Sequence, residues 1–278
     1  MMSPLFIIFI MRLFVFDVDG TLVGRDKILR QEVINSINNL LNNGDVVAIA
    51  SGRPYQGIIQ YLNQFTSGNK FAICANGAEV CKENGEILNL SCLKLSDYYN
   101  FLNNHKNIFN CENANIYAYT EKEIGCFKLD KYIEVETNCN GAFTSFMFQD
   151  RTLPLDTPIL KFMIASKKDL SSKFESEITE SEKKSYQIVR TSPIYIEFIN
   201  KNTDKSVGVE FLRKYLSIDK SNVFTFGDAG NDFKMIRDFV GIAMGNAIQE
   251  CKDVAKFVTK NVDDLGVPYA LINFINNK

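Results

Sequence analysis

The stretch Leu13-Phe14-Val15-Phe16-Asp17-Val18-Asp19-Gly20-Thr21 decides the fold reading. Four apolar residues bounded by polar and turn-forming ones predict a buried strand over Leu13–Phe16. Asp17 and Asp19 stand two residues apart where that strand ends, and Gly20 lets the chain turn. Near a phosphate, one such carboxylate can attack while the other carries a proton. That chemistry also needs positive charge and phosphate-holding groups from elsewhere in the chain.

Working outward, Val33, Ile34, Ile37, Leu40 and Leu41 recur at helical spacing within Ile28–Leu41, and Asn42-Asn43-Gly44 is a fitting stop. Val46–Ala50 reads as a second strand, ending in Ser51-Gly52-Arg53-Pro54. Pro54 suits the first turn of a helix that carries Ile58, Ile59 and Leu62. Phe71–Ala75 is a third strand, closed by Asn76-Gly77. Strands alternating with helices predict a parallel, doubly wound α/β sheet of the Rossmann kind. Ligands of such sheets bind at the carboxyl ends of the strands, where Asp17 and Ser51 fall.

From about Gly85 to Asn200 the rhythm changes. Strand-like pieces cover Asn115–Thr120, Ile159–Ala165, Ser185–Arg190 and Ile194–Ile199, with helices over Leu95–Asn103 and Lys168–Ser181 and an irregular connection over Asp150–Pro158. This predicts an inserted α+β domain. The βα rhythm then resumes with a helix opening at Lys205 and carrying Val207, Val209, Phe211, Leu212 and Leu216. Val223–Phe226 is a strand that runs into Gly227-Asp228-Ala229-Gly230-Asn231-Asp232. Gly241–Met244 and Ala255–Thr259 are further strands, and Val267–Ile275 a closing helix.

Composition sets the outer bounds. The 278 residues are 46% hydrophobic and 23% charged, with a formal net charge of -2, so no basic footprint for nucleic acid exists and an anionic substrate needs local positive charge or a metal. Seven cysteines without a CxxC pair suggest neither a disulfide framework nor a zinc knuckle, and buried reduced thiols in a cytosolic protein are expected. Pro4–Ile10 is apolar but too short to span a bilayer, has no basic leading segment and precedes no cleavage site. It is expected either to precede the natural start at Met11 or to pack as an extra strand or arm.

Four pieces converge on one edge of the expected sheet: DVDGT at 17–21, Ser51, Lys205 and GDAGND at 227–232. In this order and spacing they resemble the haloacid dehalogenase superfamily of phosphohydrolases, and its Cof-type sugar-phosphatase branch in particular. The resemblance covers the chain from Met11 onward, and Asn76-Gly77-Ala78 and Met244-Gly245-Asn246-Ala247 also match that branch. It implies a core of residues 1–88 and 199–278 and a substrate-selecting α/β cap of residues 89–198. It further implies a cytoplasmic, Mg²⁺-dependent phosphatase of a small phosphorylated metabolite, monomeric or homodimeric, without nucleic-acid or membrane partners.

The roles implied are these. Asp17 is the nucleophile that forms an aspartyl-phosphate. Asp19 protonates the leaving alkoxide and then takes a proton from water. Mg²⁺, a hard cation that prefers oxygen, is held by the side chains of Asp17 and Asp228 and the main-chain carbonyl of Asp19, with Asp232 behind that shell or in it. Lys205 sets an ammonium against both the phosphate and Asp17, while Ser51, main-chain N–H groups near Gly52 and the Asn231 amide hold phosphate oxygens.

Plainer readings stand beside each role. DVDG is an acidic turn by itself, though not a calcium loop, because Gly20 comes too early and Gln31 and Glu32 fall too late for the bidentate glutamate. Ser51 alone reads as a helix cap, Lys205 as a solvated helix residue, and Asp228 and Asp232 as turn and cap residues. Arg53 serves either a substrate contact or a structural salt bridge. His105, the only histidine, is expected at the surface. Tyr117, Tyr119 and Phe127 are expected to pack rather than to line a pocket. A sugar hydroxyl replacing water as phosphoryl acceptor, or an idle sugar-phosphate-binding regulator, remain the alternatives to hydrolysis.

Overall fold

The computed structural model describes residues 11–141 and 143–275, so the apolar stretch Pro4–Ile10 lies outside the described residues. The chain divides into two compact units. One takes residues up to Ala48, Phe65–Lys70 and Glu210 onward; the other takes Ile49–Gln64 and Phe71–Val209.

In the first unit, strand Leu13–Phe16 has all four residues buried. It runs parallel to Val223–Gly227, with Phe14 opposite Phe224 and Phe16 opposite Phe226. Their rings lie 4.9 and 4.7 Å apart. Val240–Ala243 and then Phe257–Val258 continue the parallel order. Parallel strands are covered on both faces, which is why they appear in sequence as unbroken apolar runs. Helix Gln31–Asn42 buries Val33, Ile37, Leu40 and Leu41, one stripe of its surface. The closing segment is a short α-helix, Gly266–Ala270, continued by a π turn over Leu271–Ile275, rather than one α-helix from Val267. Strand Val46–Ala50 passes from the first unit into the second.

In the second unit, Lys70–Cys74 enters at Phe71 and pairs antiparallel with Glu79–Lys82, which pairs in turn with Ile87–Leu90. A six-stranded sheet follows, in the order Tyr186–Ser192, Tyr195–Asn200, Lys161–Ser166, Ala114–Tyr119, Glu123–Cys126, Thr144–Met147. Its two faces are both apolar. Ile116, Ala118, Phe162 and Ile164 join one cluster with Tyr98 and Phe101 from helix Leu95–Asn104. Tyr117, Tyr119, Met163 and Ala165 point the other way and meet Tyr132 and Ile133 from helix Lys131–Cys139. Tyr117 and Tyr119 are therefore core residues, as expected.

Two expectations are corrected here. The helix expected over Lys168–Ser181 is two helices, Lys168–Glu177 and Glu180–Ser185. Thr179 breaks it by capping the second: its hydroxyl accepts the Glu182 N–H, and the Glu182 carboxylate accepts the Thr179 N–H. That same Glu182 draws His105 inside. The ring is buried, stacked on Phe101 at 4.3 Å, with Nε2 2.8 Å from Glu182 Oε1. Among the described residues, no helix is long and apolar enough to cross a membrane.

Candidate active site

The parallel register of Leu13–Phe16 and Val223–Gly227 brings two acidic turns side by side. Phe16 faces Phe226, and the Asp17 N–H donates to the Phe226 carbonyl at 3.0 Å. Neighbouring strands lie about 4.8 Å apart, so the residues just past these ends are neighbours. Asp17, Asp228 and Asp232 each offer a carboxylate oxygen within 4.8 Å of the others. Asp17 and Asp232 are buried and Asp228 is half-buried. Three carboxylates so close repel one another, and a multivalent cation with oxygen preference is what such a donor set suits.

The turns around the cluster are closely built. Gly20 has φ +94°, and a Cβ there would lie 2.3 Å from Asp228 Oδ2. Thr21, fully buried, donates its hydroxyl to Asp228 Oδ1 at 3.1 Å. Asn246 donates its amide to the Gly20 carbonyl at 2.8 Å and to Asp228 Oδ2 at 3.3 Å, while its own Oδ1 accepts the Val262 N–H. Asp232 Oδ2 accepts the N–H groups of Asp228 and Ala229. Asp19 is more open, and its Oδ1 lies 2.6 Å from Lys27 Nζ. Asn231 sits half-buried in the same turn as Asp228.

Ser51, Gly52 and Lys205 lie in the second unit. Ser51 is buried at the end of its strand; its N–H donates to Ile73 O and its carbonyl accepts the Asn76 N–H, both at 2.9 Å. Its hydroxyl accepts the Arg53 N–H at 3.3 Å. The turn Ala75–Gly77 runs through left-handed backbone, with φ +48°, +56° and +95°. At Gly77 this is imposed by crowding, since a Cβ would sit 2.1 Å from the Asp204 carbonyl. Asp204 caps the helix that begins at Lys205, its Oδ1 accepting the Val207 N–H at 2.9 Å. Lys205 is fully buried, so it is not the solvated helix residue of the plainer reading.

Behind Gly52 lies a group that the sequence did not reveal. Lys161 Nζ is 3.1 Å from Glu197 Oε2 and donates to the Gly52 carbonyl at 3.0 Å. Asn76 Nδ2 donates to Glu197 Oε2, and Thr191 Oγ1 to Glu197 Oε1. Both charged side chains are buried, so the pair is held by hydrogen bonds on every side. Arg53 donates to the Cys139 carbonyl at 2.7 Å. Thr21 and Asn246 were legible only as motif letters, DVDGT and GNA. Lys161 and Glu197 sit in ordinary strand patterns and left no signal.

The chain is similar to known proteins of one family. A sequence model of haloacid dehalogenase-like hydrolases matches residues 14–271. A Streptococcus pyogenes protein named a "putative phosphatase" is 28% identical over 272 residues, spanning 96% of this chain and 99% of its own. The Bacillus subtilis protein named 5-amino-6-(5-phospho-D-ribitylamino)uracil phosphatase YitU is 25% identical over 267 residues, spanning 92% and 94%. A crystal structure of a haloacid dehalogenase-like hydrolase from Bacteroides thetaiotaomicron aligns with a TM-score of 0.82 at 25% identity, covering 94% of this chain and 98% of that one.

Proposed function

The chain belongs to the haloacid dehalogenase-like hydrolase family as a phosphatase, and from that premise we propose that it hydrolyses a small phosphomonoester, a sugar phosphate or a close relative, through an aspartyl-phosphate on Asp17. The observation that carries this reading is the meeting of Asp17, Asp228 and Asp232 at the ends of two parallel strands.

In the proposed reaction an Asp17 oxygen attacks phosphorus, and the bond to the leaving oxygen breaks. Asp19 gives its proton to that oxygen. Asp19 then takes a proton from the water that attacks the aspartyl-phosphate, and inorganic phosphate leaves. Lys205 offsets the charge of phosphate and nucleophile, and Ser51, the Gly52 region and Asn231 hold phosphate oxygens. The hard oxygen donors of Asp17, Asp228 and the Asp19 carbonyl fit Mg²⁺, which when bound would neutralise charge on the transferring group. Asp232, already engaged with the Asp228 and Ala229 N–H groups, serves by holding that turn. Residues 89–198 are the proposed substrate-selecting cap. The YitU relative is named for a phosphate carried on a ribityl chain, which supports a polyhydroxylated substrate of sugar type.

The test is phosphate release from a panel of sugar phosphates, flavin mononucleotide, pyridoxal phosphate and nucleotides, with Mg²⁺ and with chelator. Turnover of at least one sugar-type phosphate, lost with chelator and in Asp17→Asn, is expected. Substantial Mg²⁺-dependent hydrolysis by folded Asp17→Asn protein would overturn the nucleophile. Transfer to added acceptors in place of phosphate release would make the protein a phosphotransferase.

A further inference from the structure

A second donor set, sharing no residue with the groups assigned to the phosphatase reaction, lies on the hairpin formed by Lys70–Cys74 and Glu79–Lys82. In its register Cys74 faces Glu79 and Ala72 faces Cys81, so Cys74, Glu79 and Cys81 share one face. Two sulfurs and a carboxylate oxygen lie within 4.8 Å of one another, and all three residues are buried. The Cys81 thiol donates to Glu79 Oε1 at 2.7 Å. The other carboxylate oxygen, Oε2, is buried with no hydrogen-bond partner among the described residues.

That orphaned oxygen is the anomaly. Burying a carboxylate without a partner is costly, and proteins resolve the cost by a cation, a hydrogen bond or a retained proton. No lysine or arginine among the described residues pairs with Glu79. Burial pushes the Glu79 carboxyl and the Cys74 thiol up, which marks them as groups that lack a positive partner. We propose that Cys74, Glu79 and Cys81 form a binding site for one thiophilic divalent cation of the zinc class.

The spacing is close to what such an ion needs. With Zn–S near 2.3 Å and Zn–O near 2.0 Å, the edges of a tetrahedron are about 3.5–3.8 Å. Side-chain adjustment of about 1 Å, which opens the 2.7 Å Cys81–Glu79 contact, brings the observed set to that size. Two soft thiolates select zinc over Mg²⁺, which suits the oxygen-only cluster of the first unit. Binding displaces the two thiol protons and any proton on Glu79, so affinity rises with pH. The ion would clamp the two strands that flank the Ala75–Gly77 turn, and Asn76 of that turn holds the Ser51 carbonyl.

Cobalt(II) titration of the reduced, chelator-treated full-length protein tests this. The Asp17→Asn variant is used in parallel, so that failure of the phosphatase reading leaves the result intact. One thiolate-bound cobalt per chain, counted by a near-ultraviolet sulfur-to-cobalt charge-transfer band, is expected in both, displaced by Zn²⁺. Glu79→Gln should keep the band and weaken affinity at least about tenfold. Cys81→Ser should diminish the band, with circular dichroism confirming the fold. No such band at saturating cobalt, or a band unchanged in folded Cys81→Ser protein, overturns the site.

Discussion

Asp232 holds Asp228 by its main chain: the single oxygen Oδ2 accepts the Asp228 N–H at 2.9 Å and the Ala229 N–H at 3.0 Å. Asp228 thereby presents its carboxylate to Asp17 from a turn whose backbone is pinned by a buried anion. Removing that acceptor leaves two N–H groups unpaired, at about 1–3 kcal/mol each if they stay dry. Asp232→Ala should raise the Mg²⁺ concentration for half-maximal turnover by about 10–100-fold. Substrate KM at saturating Mg²⁺ should change less. An unchanged Mg²⁺ dependence would count against the positioning role.

Gly20 is where the first acidic turn touches the second. An alanine there faces both a left-handed backbone at φ +94° and a carboxylate oxygen 2.3 Å from its Cβ. The Asp228 carboxylate would have to leave its bonds to Thr21 and Asn246. A displacement of that size at a reacting centre costs about 10²-fold in rate. Gly20→Ala should therefore fold and lose turnover by about that factor, as measured by kcat on any accepted phosphate.

The buried pair Lys161 and Glu197 is expected to carry two separable tasks, one structural and one in the proposed reaction. Removing one partner strands a charge, so Lys161→Met or Glu197→Leu alone should cost about 3–5 kcal/mol in urea unfolding. The double variant should recover most of that, because apolar replacement of both partners is often neutral. It should not recover catalysis, since the Gly52 carbonyl has lost its donor. Full activity in the double variant would confine the pair to a structural role.

Acid should loosen the second unit through Glu182. Burial pushes this carboxyl up, but the Thr179 N–H and hydroxyl and the His105 ring together outweigh burial, and it ends below its ordinary value of 4.5. A group more acidic folded than unfolded contributes stability that is complete above its ordinary value and lost as pH falls towards the folded one. The urea midpoint should therefore drop between about pH 6 and about pH 3.5 less steeply in Glu182→Gln than in the parent. Equal slopes would contradict this.

Much of the core was legible because its signals are local. Leu13–Phe16 is apolar without interruption since both faces of its sheet are covered, and Pro54 and Asn76-Gly77 mark turns by their own backbone preferences. The second unit was harder. Helix Lys131–Cys139 buries only Tyr132 and Ile133, too few for a helical stripe. Strand Ile87–Leu90 has no buried residue to show an alternation. The break at Thr179 was readable as Thr-x-x-Glu, but the apolar spacing of Lys168–Ser181 masked it. His105 went astray because its partner, Glu182, stands 77 residues away.

The sequence by itself determined the phosphatase family and named Asp17, Asp19, Ser51, Lys205, Asp228 and Asp232, because motif residues keep a fixed distance from strand ends and turn signals. Only the tertiary structure decided how those residues are held. Asp232 turned out to bind its own loop, Thr21 and Asn246 to grip Asp228, and Lys161 with Glu197 to stand behind Gly52. It also placed Cys74, Glu79 and Cys81 on one hairpin face. These are pairings across turns and strands, and a pairing depends on register and burial, which a linear pattern of residue types does not carry. The opening Asp17 and Asp19 thus pointed to the proposed chemistry, while packing set how the groups around Asp17 are held.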